Sequence, residues 1–584
     1  AYGLIQQDAN TIEFFIHGSE RHSATCAVPG NWENEWHQLA GIFDGNELKL
    51  YVDGELKTSS AYAGKILNSP FPLTIGRDSE NHHSETEGML SNAIIDLVRI
   101  YDKAIPFDQL SAQEPEDAVL FLDFESMEEK GHFYMTGLEG RTYGLVWADR
   151  SIQPELWQVK KSAQPVQMEA VILAQGKVKL TNWFNFTNLD ELEMQYSIGE
   201  ANAPTNKSMP VTLAPHERKV IEIPLDGVDF GKDQDLWLNI SFVTKSSSPL
   251  LPKGHEVAWE QFQIKNKKIG GGWVIYPPTS AIKMNIEKTQ NMIIITGNHF
   301  SYSFDKSTGQ LCDMKYKGKD FLEKGPLFNI WRAPLANDID PWNNWQHRTQ
   351  EKIDGLGRSR DNHWRTMGIE QLAYELDDIE FFQPDETRAV IKVRETAYTS
   401  TMEGGFSNTF TYRVNGVGEI SIEVTSIARG KMPEWLPRVG LQFQLPQEFQ
   451  NVSWNGRGPQ ENYPDRKSGY KMGNYSSTVR DMYVPYLIPQ DYGNRSDVSM
   501  VKMTKADGAG FVIEGDNFNF SAQAYDSDHL TRAMYPFQLK KSDKIFLNMD
   551  HKVNGLGDTS LATLQEHRVR PGTYAFSFVI KPVK

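Results

Sequence analysis

The chain has 584 residues and a formal net charge of −16, with 39% hydrophobic, 23% charged and 11% aromatic residues, among them 14 Trp. That length is too great for one core and implies three or four domains at roughly 100–200 residues each, while the acidic balance excludes a phosphate-binding role in nucleic-acid recognition, which needs a basic face. No apolar run approaches the roughly 20 residues of a membrane span, and Cys26 and Cys312, far apart in sequence, imply neither a disulfide framework nor a thiolate metal site.

Strand patterning dominates from the start. In ELKLYVDG (47–54) Leu48, Leu50 and Val52 alternate with polar partners, and Asp53-Gly54 then supplies a hairpin turn. The same alternation runs through KVKLTNWFNF (177–186), LWLNISFV (236–243), EISIEVTSI (419–427) and VGLQFQLP (439–446). The best 3.6-residue period, at roughly 345–353, is short, and Pro154 precedes ELWQVKK (155–161), which suits a short helix. The class is all-β, built from several packed sandwiches. Aromatics at this level serve either large sandwich cores or sugar-stacking faces, and most of the Trp are assigned to cores.

Three stretches carry resemblances to known families. WHQLAGIFDGNELKLYVDGE (36–55), PLTIGRD (72–78) and IIDLVRIYDKAI (94–105) resemble a laminin-G-like, concanavalin-type jelly roll over 1–112. Such a domain has strands before this starting point, so the chain is expected to begin within it and expose a sheet edge. GRTYGLVWADRSIQPELWQVKKSAQPV (140–166) resembles the segment leaving the catalytic barrel of glycoside hydrolase family 2 β-galactosidases, which makes 113–165 a connector. Residues 166–264 read as an immunoglobulin-like sandwich ending in HEVAWEQFQI (255–264), and 265–272, with Gly270, Gly271 and Gly272, as a linker. WNGRGPQENYPDR (454–466) closely resembles the signature of the C-terminal domain of the same β-galactosidases. The resemblance implies that 273–584 is a large β-sandwich similar in fold to galactose mutarotase. It extends over roughly 130–584.

The chemistry of a glycosidase needs two carboxylates flanking the scissile bond, about 5–5.5 Å apart for retention. In the resembled family these are glutamates on barrel strands, one of them after an asparagine. The two Asn-Glu pairs here, Asn34-Glu35 and Asn46-Glu47, fall in jelly-roll turns, and no run of alternating strands and helices is present to build a barrel. No catalytic residue is therefore assigned in this chain. His255-Glu256 is followed by Trp259 where a zinc-protease motif needs histidine, and adjacent His82 and His83 point apart on a strand. Neither a Gly-x-Ser-x-Gly elbow nor a phosphate loop is present, and GLGDTSLA (555–562) has turn glycines without a following helix. No metal site or cofactor is identifiable. The resemblance implies Mg and Na ions held mainly by the barrel.

Three loops remain as functional candidates. WRAPLANDIDPWNNWQHR (331–348) resembles the family's RAP-x-x-ND loop beside the active-site mouth; Arg332, Asn337 and Asp338 would hold it, while Trp342 and Trp345 are candidates to stack on a sugar or seal against the barrel. The 454–466 loop, with two prolines and charge pairs, is expected to be braced by Arg457, Glu461, Asp465 and Arg466. In HKVNGLGDTSLA (551–562), Asn554, Asp558 and Leu561 are rim candidates. Many family members carry a sugar-stacking Trp where Leu561 stands, and leucine lacks the flat π-face.

The resemblance thus implies the non-catalytic C-terminal part of a retaining β-galactosidase-like hydrolase, which supports the barrel and rims the pocket. Its implied partners are a β-galactoside or related oligosaccharide, the barrel of the same protein and further copies in a homo-oligomer. The alternatives are a stand-alone carbohydrate-binding protein and, on fold analogy alone, an aldose epimerase. The start AYGLIQQDANTIEFF has no signal core, which leaves cytoplasm and periplasm both open for a chain expected to lack its N-terminus.

Overall fold

The computed structural model describes residues 2–18, 20–67, 73, 75–76, 93–112, 117–123, 144–231, 235–265, 282–335, 337–338, 364, 367–533, 535–557 and 563–583. The described residues up to 123 form one unit and those from 144 onward another.

In the first unit, alternation produces two three-stranded antiparallel sheets, Tyr2–Asp8, Thr11–His17 and Arg21–Ala27 in one and Leu39–Phe43, Glu47–Val52 and Glu55–Ala61 in the other. Ile12, Phe14 and Ile16 meet Leu48, Leu50 and Val52 between them. Asp53 and Gly54 have φ of 51° and 82°, the left-handed pair that closes the hairpin where Val52 faces Glu55. Glu13 is buried in the first sheet and accepts hydrogen bonds from Arg21 Nε at 3.1 Å and Nη2 at 2.7 Å, which offsets the cost of taking its charge out of water.

The second unit opens with helix α1, Glu155–Ser162, directly after Pro154. A seven-stranded sandwich follows. Arg218–Glu222, Lys177–Asn182 and Val166–Ile172 form one sheet; Lys207–Met209, Leu192–Gly199, Leu236–Thr244 and Glu256–Lys265 form the other. Val166, Val178 and Leu180 pack against Met194, Leu238, Ile240 and Phe242. KVKLTNWFNF is strand only over Lys177–Asn182; the chain then turns, and Trp183 and Phe186 lie exposed. Gly176 has φ 67°, and a Cβ there would lie 2.1 Å from the Ile223 carbonyl oxygen, so this turn requires glycine.

Beyond 282 comes a large sandwich. A five-stranded sheet from Asn285–Lys288 to Lys319–Asp320 shares one core with a twelve-stranded antiparallel sheet. Its described Trp residues are core material: Trp364 is fully buried, donates from Nε1 to the Trp435 carbonyl at 2.9 Å and meets Trp331 edge-on at 6.1 Å. A branch of the large sheet carries Arg495–Thr504, then Asn451–Gly458, then Lys471–Thr478. The signature loop leaves this branch after Gly458. The architecture is all-β with short helical pieces, as the alternation predicts. The 3.6-period stretch at 345–353 and the linker residues from 266 lie outside the described residues.

Phe242 is fully buried between the sheets of the seven-stranded sandwich. Phe242→Ala is expected to cost this sandwich about 3–5 kcal/mol through lost burial and a residual cavity. Hydrogen exchange should accelerate in Leu236–Thr244 and Lys177–Asn182 and stay unchanged in the first unit.

Candidate functional site

The signature segment begins as strand, which corrects the expectation of a loop from Trp454 onward. Trp454 to Gly458 complete the strand Asn451–Gly458, and the loop starts at Pro459 after a cis Gly458–Pro459 bond. A Cβ on Gly456 would come within 2.7 Å of Val498, and one on Gly458 within 2.8 Å of Tyr475. The two glycines serve close packing of the branch rather than a turn.

Arg457 leaves this strand and holds the far end of the loop. Its Nη1 donates to the carbonyls of Lys467 at 3.1 Å and Tyr470 at 2.9 Å, and its Nε donates to Asp497, whose other oxygen accepts from Lys467 Nζ at 2.6 Å. Burial pushes the Asp497 carboxyl up, but Arg457 and Lys467 outweigh it and hold the group below the usual carboxylate range.

Glu461 is 1% exposed, and both its oxygens are engaged. Oε1 accepts from Arg466 Nη2 at 3.0 Å and from the Tyr486 hydroxyl, and Oε2 accepts from the Gly493 amide at 2.8 Å. Arg466 donates with its other arm to the half-buried Glu155 of α1, so a buried and a partly exposed carboxylate share one guanidinium. Arg495, fully buried, donates to the carbonyls of Pro459 at 3.0 Å, Gly493 at 2.9 Å and Asn494 at 3.3 Å; desolvation brings its pKa down to about 10.

Asp465 ties this loop to another. Its two oxygens accept from the amides of Leu556 and Gly557, each at 2.8 Å. Asn337 donates from Nδ2 to the Gly557 carbonyl at 3.2 Å, so all three loops singled out in the sequence meet at residues 555–557. Beneath them Leu335, Tyr463 and Val553 form a small core with Leu556 packed against it. Arg332 is completely buried; its Nη2 lies 3.3 Å from Asp338 Oδ2, and that oxygen also accepts from the Leu335 amide at 2.8 Å. Asn554, expected at the rim, is instead fully buried: its amide donates to the Gly555 carbonyl at 3.1 Å and to Thr563 at 3.2 Å, and its oxygen accepts from the Val569 amide at 3.2 Å. Trp342, Trp345, Asp558 and Leu561 lie outside the described residues.

Sequence reasoning missed the layer behind the loops. Arg438 donates to Asp491 at 3.0 Å and lies 3.3 Å from Asp550, while Gln523 donates to the second oxygen of Asp491 at 3.0 Å. Burial lifts the Asp550 carboxyl to about 7, with Arg438 and Arg332 opposing and Asp491 reinforcing the rise. The signal was present in KIFLNMDHKV, where a charged residue interrupts a buried apolar strand. Among the described residues, Glu461, Asp465, Asp338 and Asp491 all have hydrogen-bonding partners within the protein, and no group of three or more His, Cys, Asp or Glu could hold a metal ion. These hydrogen bonds position the loops.

The fold and these loops define a chain of several β-sandwiches, and comparison with known proteins shows what it is similar to. Residues 296–580 match the β-galactosidase small chain, 178–265 match β-galactosidase domain 4, and 1–111 match the concanavalin A-like lectin/glucanase superfamily. A β-galactosidase of Priestia megaterium is 27% identical over 490 residues, covering 82% of this chain and 44% of its own length; one of Vibrio cholerae is 28% identical over 415 residues, covering 71% and 38%. These matches support a C-terminal portion of a family 2-like β-galactosidase, and the chain spans less than half the length of these relatives. Among solved structures, a galactose 1-epimerase from Lactobacillus acidophilus aligns over 52% of this chain and all of its own, at 8% identity and a TM-score of 0.27.

Two expectations follow from the buried charges. Glu461→Ala leaves Arg466, Tyr486 and the Gly493 amide without their acceptor and is expected to cost about 3–5 kcal/mol, whereas Glu461→Gln, which keeps one oxygen acceptor, should cost less; urea unfolding monitored by Trp fluorescence measures both. Asp550 binds its proton more tightly folded than unfolded, where its pKa is about 3.9. Its contribution to stability is therefore fully present below about pH 4 and declines as pH rises toward 7. Asp550→Asn should remove that decline, so wild type should lose stability relative to the variant between these two pH values.

Proposed function

We propose that this chain is the non-catalytic C-terminal part of a β-galactosidase-like glycoside hydrolase acting on terminal β-galactosides by a retaining mechanism. In this reading 113–165 is the connector from the barrel, 166–264 the immunoglobulin-like domain and 273–584 the domain that rims the pocket, with 1–112 an added jelly roll and 265–272 a linker. The observation that carries it is the junction of three loops at residues 555–557. Asp465 and Asn337 pin Leu556 and Gly557, which precede 558–562 in the sequence, while every carboxylate of the signature is bound inside the scaffold. Such a junction gives a pocket wall its shape without supplying an acid or a nucleophile.

Trp342, Trp345, Asp558 and Leu561 are the proposed sugar-facing rim, and Asn554 supports it from inside. Leucine at 561 offers apolar contact without a stacking face, which points to a pocket shaped differently from one closed by Trp. The catalytic glutamates belong to the proposed barrel partner, and the complete protein is proposed to assemble as a homo-oligomer.

The test is direct. The purified chain is expected to release no nitrophenol from a nitrophenyl β-galactoside, and the protein that includes the barrel is expected to do so. Release by this chain at rates near those of an intact β-galactosidase overturns the assignment.

A further inference from the structure

Behind the three loops, Arg332, Arg438, Asp338, Asp491 and Asp550 lie together with Tyr463, all of them buried. Six of their atoms have no hydrogen-bonding partner: Arg332 Nε and Nη1, Arg438 Nε, the Tyr463 hydroxyl and both oxygens of Asp550. These atoms belong to one neighbourhood. Arg438 Nη1 lies 3.3 Å from Asp550 Oδ2 as a charge contact without hydrogen-bond alignment. The Arg332 guanidinium is 5.9 Å from the centre of the Tyr463 ring, and the field of Arg332 reaches Asp550. A guanidinium edge and a carboxylate stripped of water with nothing in exchange lose the full solvation of both groups, which a marginally stable fold does not sustain.

We propose that internal water molecules occupy this site and bridge Arg332, Arg438, Tyr463 and Asp550, so that the base of the loop junction is a hydrated ion network. Buried water typically makes about three hydrogen bonds, so about two molecules satisfy the six atoms. The composition of the site selects water over an ion. Two guanidiniums repel a cation, three carboxylates repel an anion, and a neutral dipole serves both signs. Arg332 and Arg438 donate to the water oxygens, Asp550 accepts from their hydrogens, and Tyr463 can do either. The waters then couple the strands Arg438–Pro446 and Lys544–Val553 to Arg332 and Tyr463 on the polar side of the junction, beside the apolar contact of Val553 with Leu335 and Tyr463.

A crystal structure of this chain that resolves ordered solvent is expected to show water within hydrogen-bonding distance of the Tyr463 hydroxyl, Arg332 Nη1 and Asp550. Direct hydrogen bonds between Arg332 and Asp550 with no solvent peak, or a peak with the scattering and coordination of an ion, overturn the proposal. In solution, magnetic relaxation dispersion of water counts long-lived internal molecules. Replacing the pair by Arg332→Met and Asp550→Leu should lower that count by about two with the circular dichroism of the wild type retained; an unchanged count in the folded variant overturns it. Should the double variant not fold, Tyr463→Phe removes only one partner and is expected to shorten the residence time of these waters; unchanged dispersion is the contrary result.

Discussion

A carboxylate held out of water has to find its whole set of partners inside the protein, and Glu461 imposes that requirement on everything around it. Arg466 and Tyr486 from two sides and the Gly493 amide from a third satisfy it, which fixes the positions of three stretches of chain at once. Arg466 passes the constraint to Glu155, so helix α1 is tied to the loop through the same guanidinium. The loop following Pro459 is thus ordered by charge, and its neighbour Asp465 can hold the amides of Leu556 and Gly557 at a set distance. An exposed pair would not enforce this geometry, because solvent competes for each partner and the interaction is worth little.

The same economy joins the smaller sandwich to the larger. Lys161 of α1 donates to Glu260 at 2.9 Å and sits 4.0 Å above the ring of Trp259, while Lys471 approaches that ring at 5.0 Å and donates to Glu256 at 2.7 Å. Burial pulls the Lys161 ammonium down despite Glu260, which marks how far this junction is shielded. The Tyr470 hydroxyl donates to the Pro154 carbonyl at 2.6 Å, and Gln158 accepts from the Gly469 amide at 2.9 Å. Helix α1, the seven-stranded sandwich and the signature loop therefore meet in one polar seam. A loop junction built on such a seam inherits its rigidity from elements well removed from it, as preorganised sites require.

Much of the fold was legible locally. Period-two alternation located the strands around Leu48, Leu238, Ile422 and Leu441, since a half-buried sheet leaves that imprint on any sequence, and Asp53-Gly54 named its own turn. The signature was legible as a unit but misread in part. Glycine suits a turn and a close strand contact equally well, and only the positions of Val498 and Tyr475 decide between them. Asn554 was misplaced for a related reason, because asparagine in a glycine-rich loop serves an outward contact or an internal brace with the same side chain.

The sequence by itself determined that this is an all-β protein of several sandwiches, and its motifs identified the β-galactosidase kinship. Both rest on local chemistry, the alternation of apolar residues and the restricted backbones of Gly and Pro. Only the tertiary structure decided which charges meet. Glu155 and Arg466 stand 311 positions apart and Asn337 and Gly557 stand 220 apart, separations that no spacing rule encodes. Arg438, Asp491 and Asp550 come together because three segments of one large sheet and its loops converge behind the loop junction. Burial then gives those charges their altered proton affinities and their need for partners, and burial belongs to the folded chain alone.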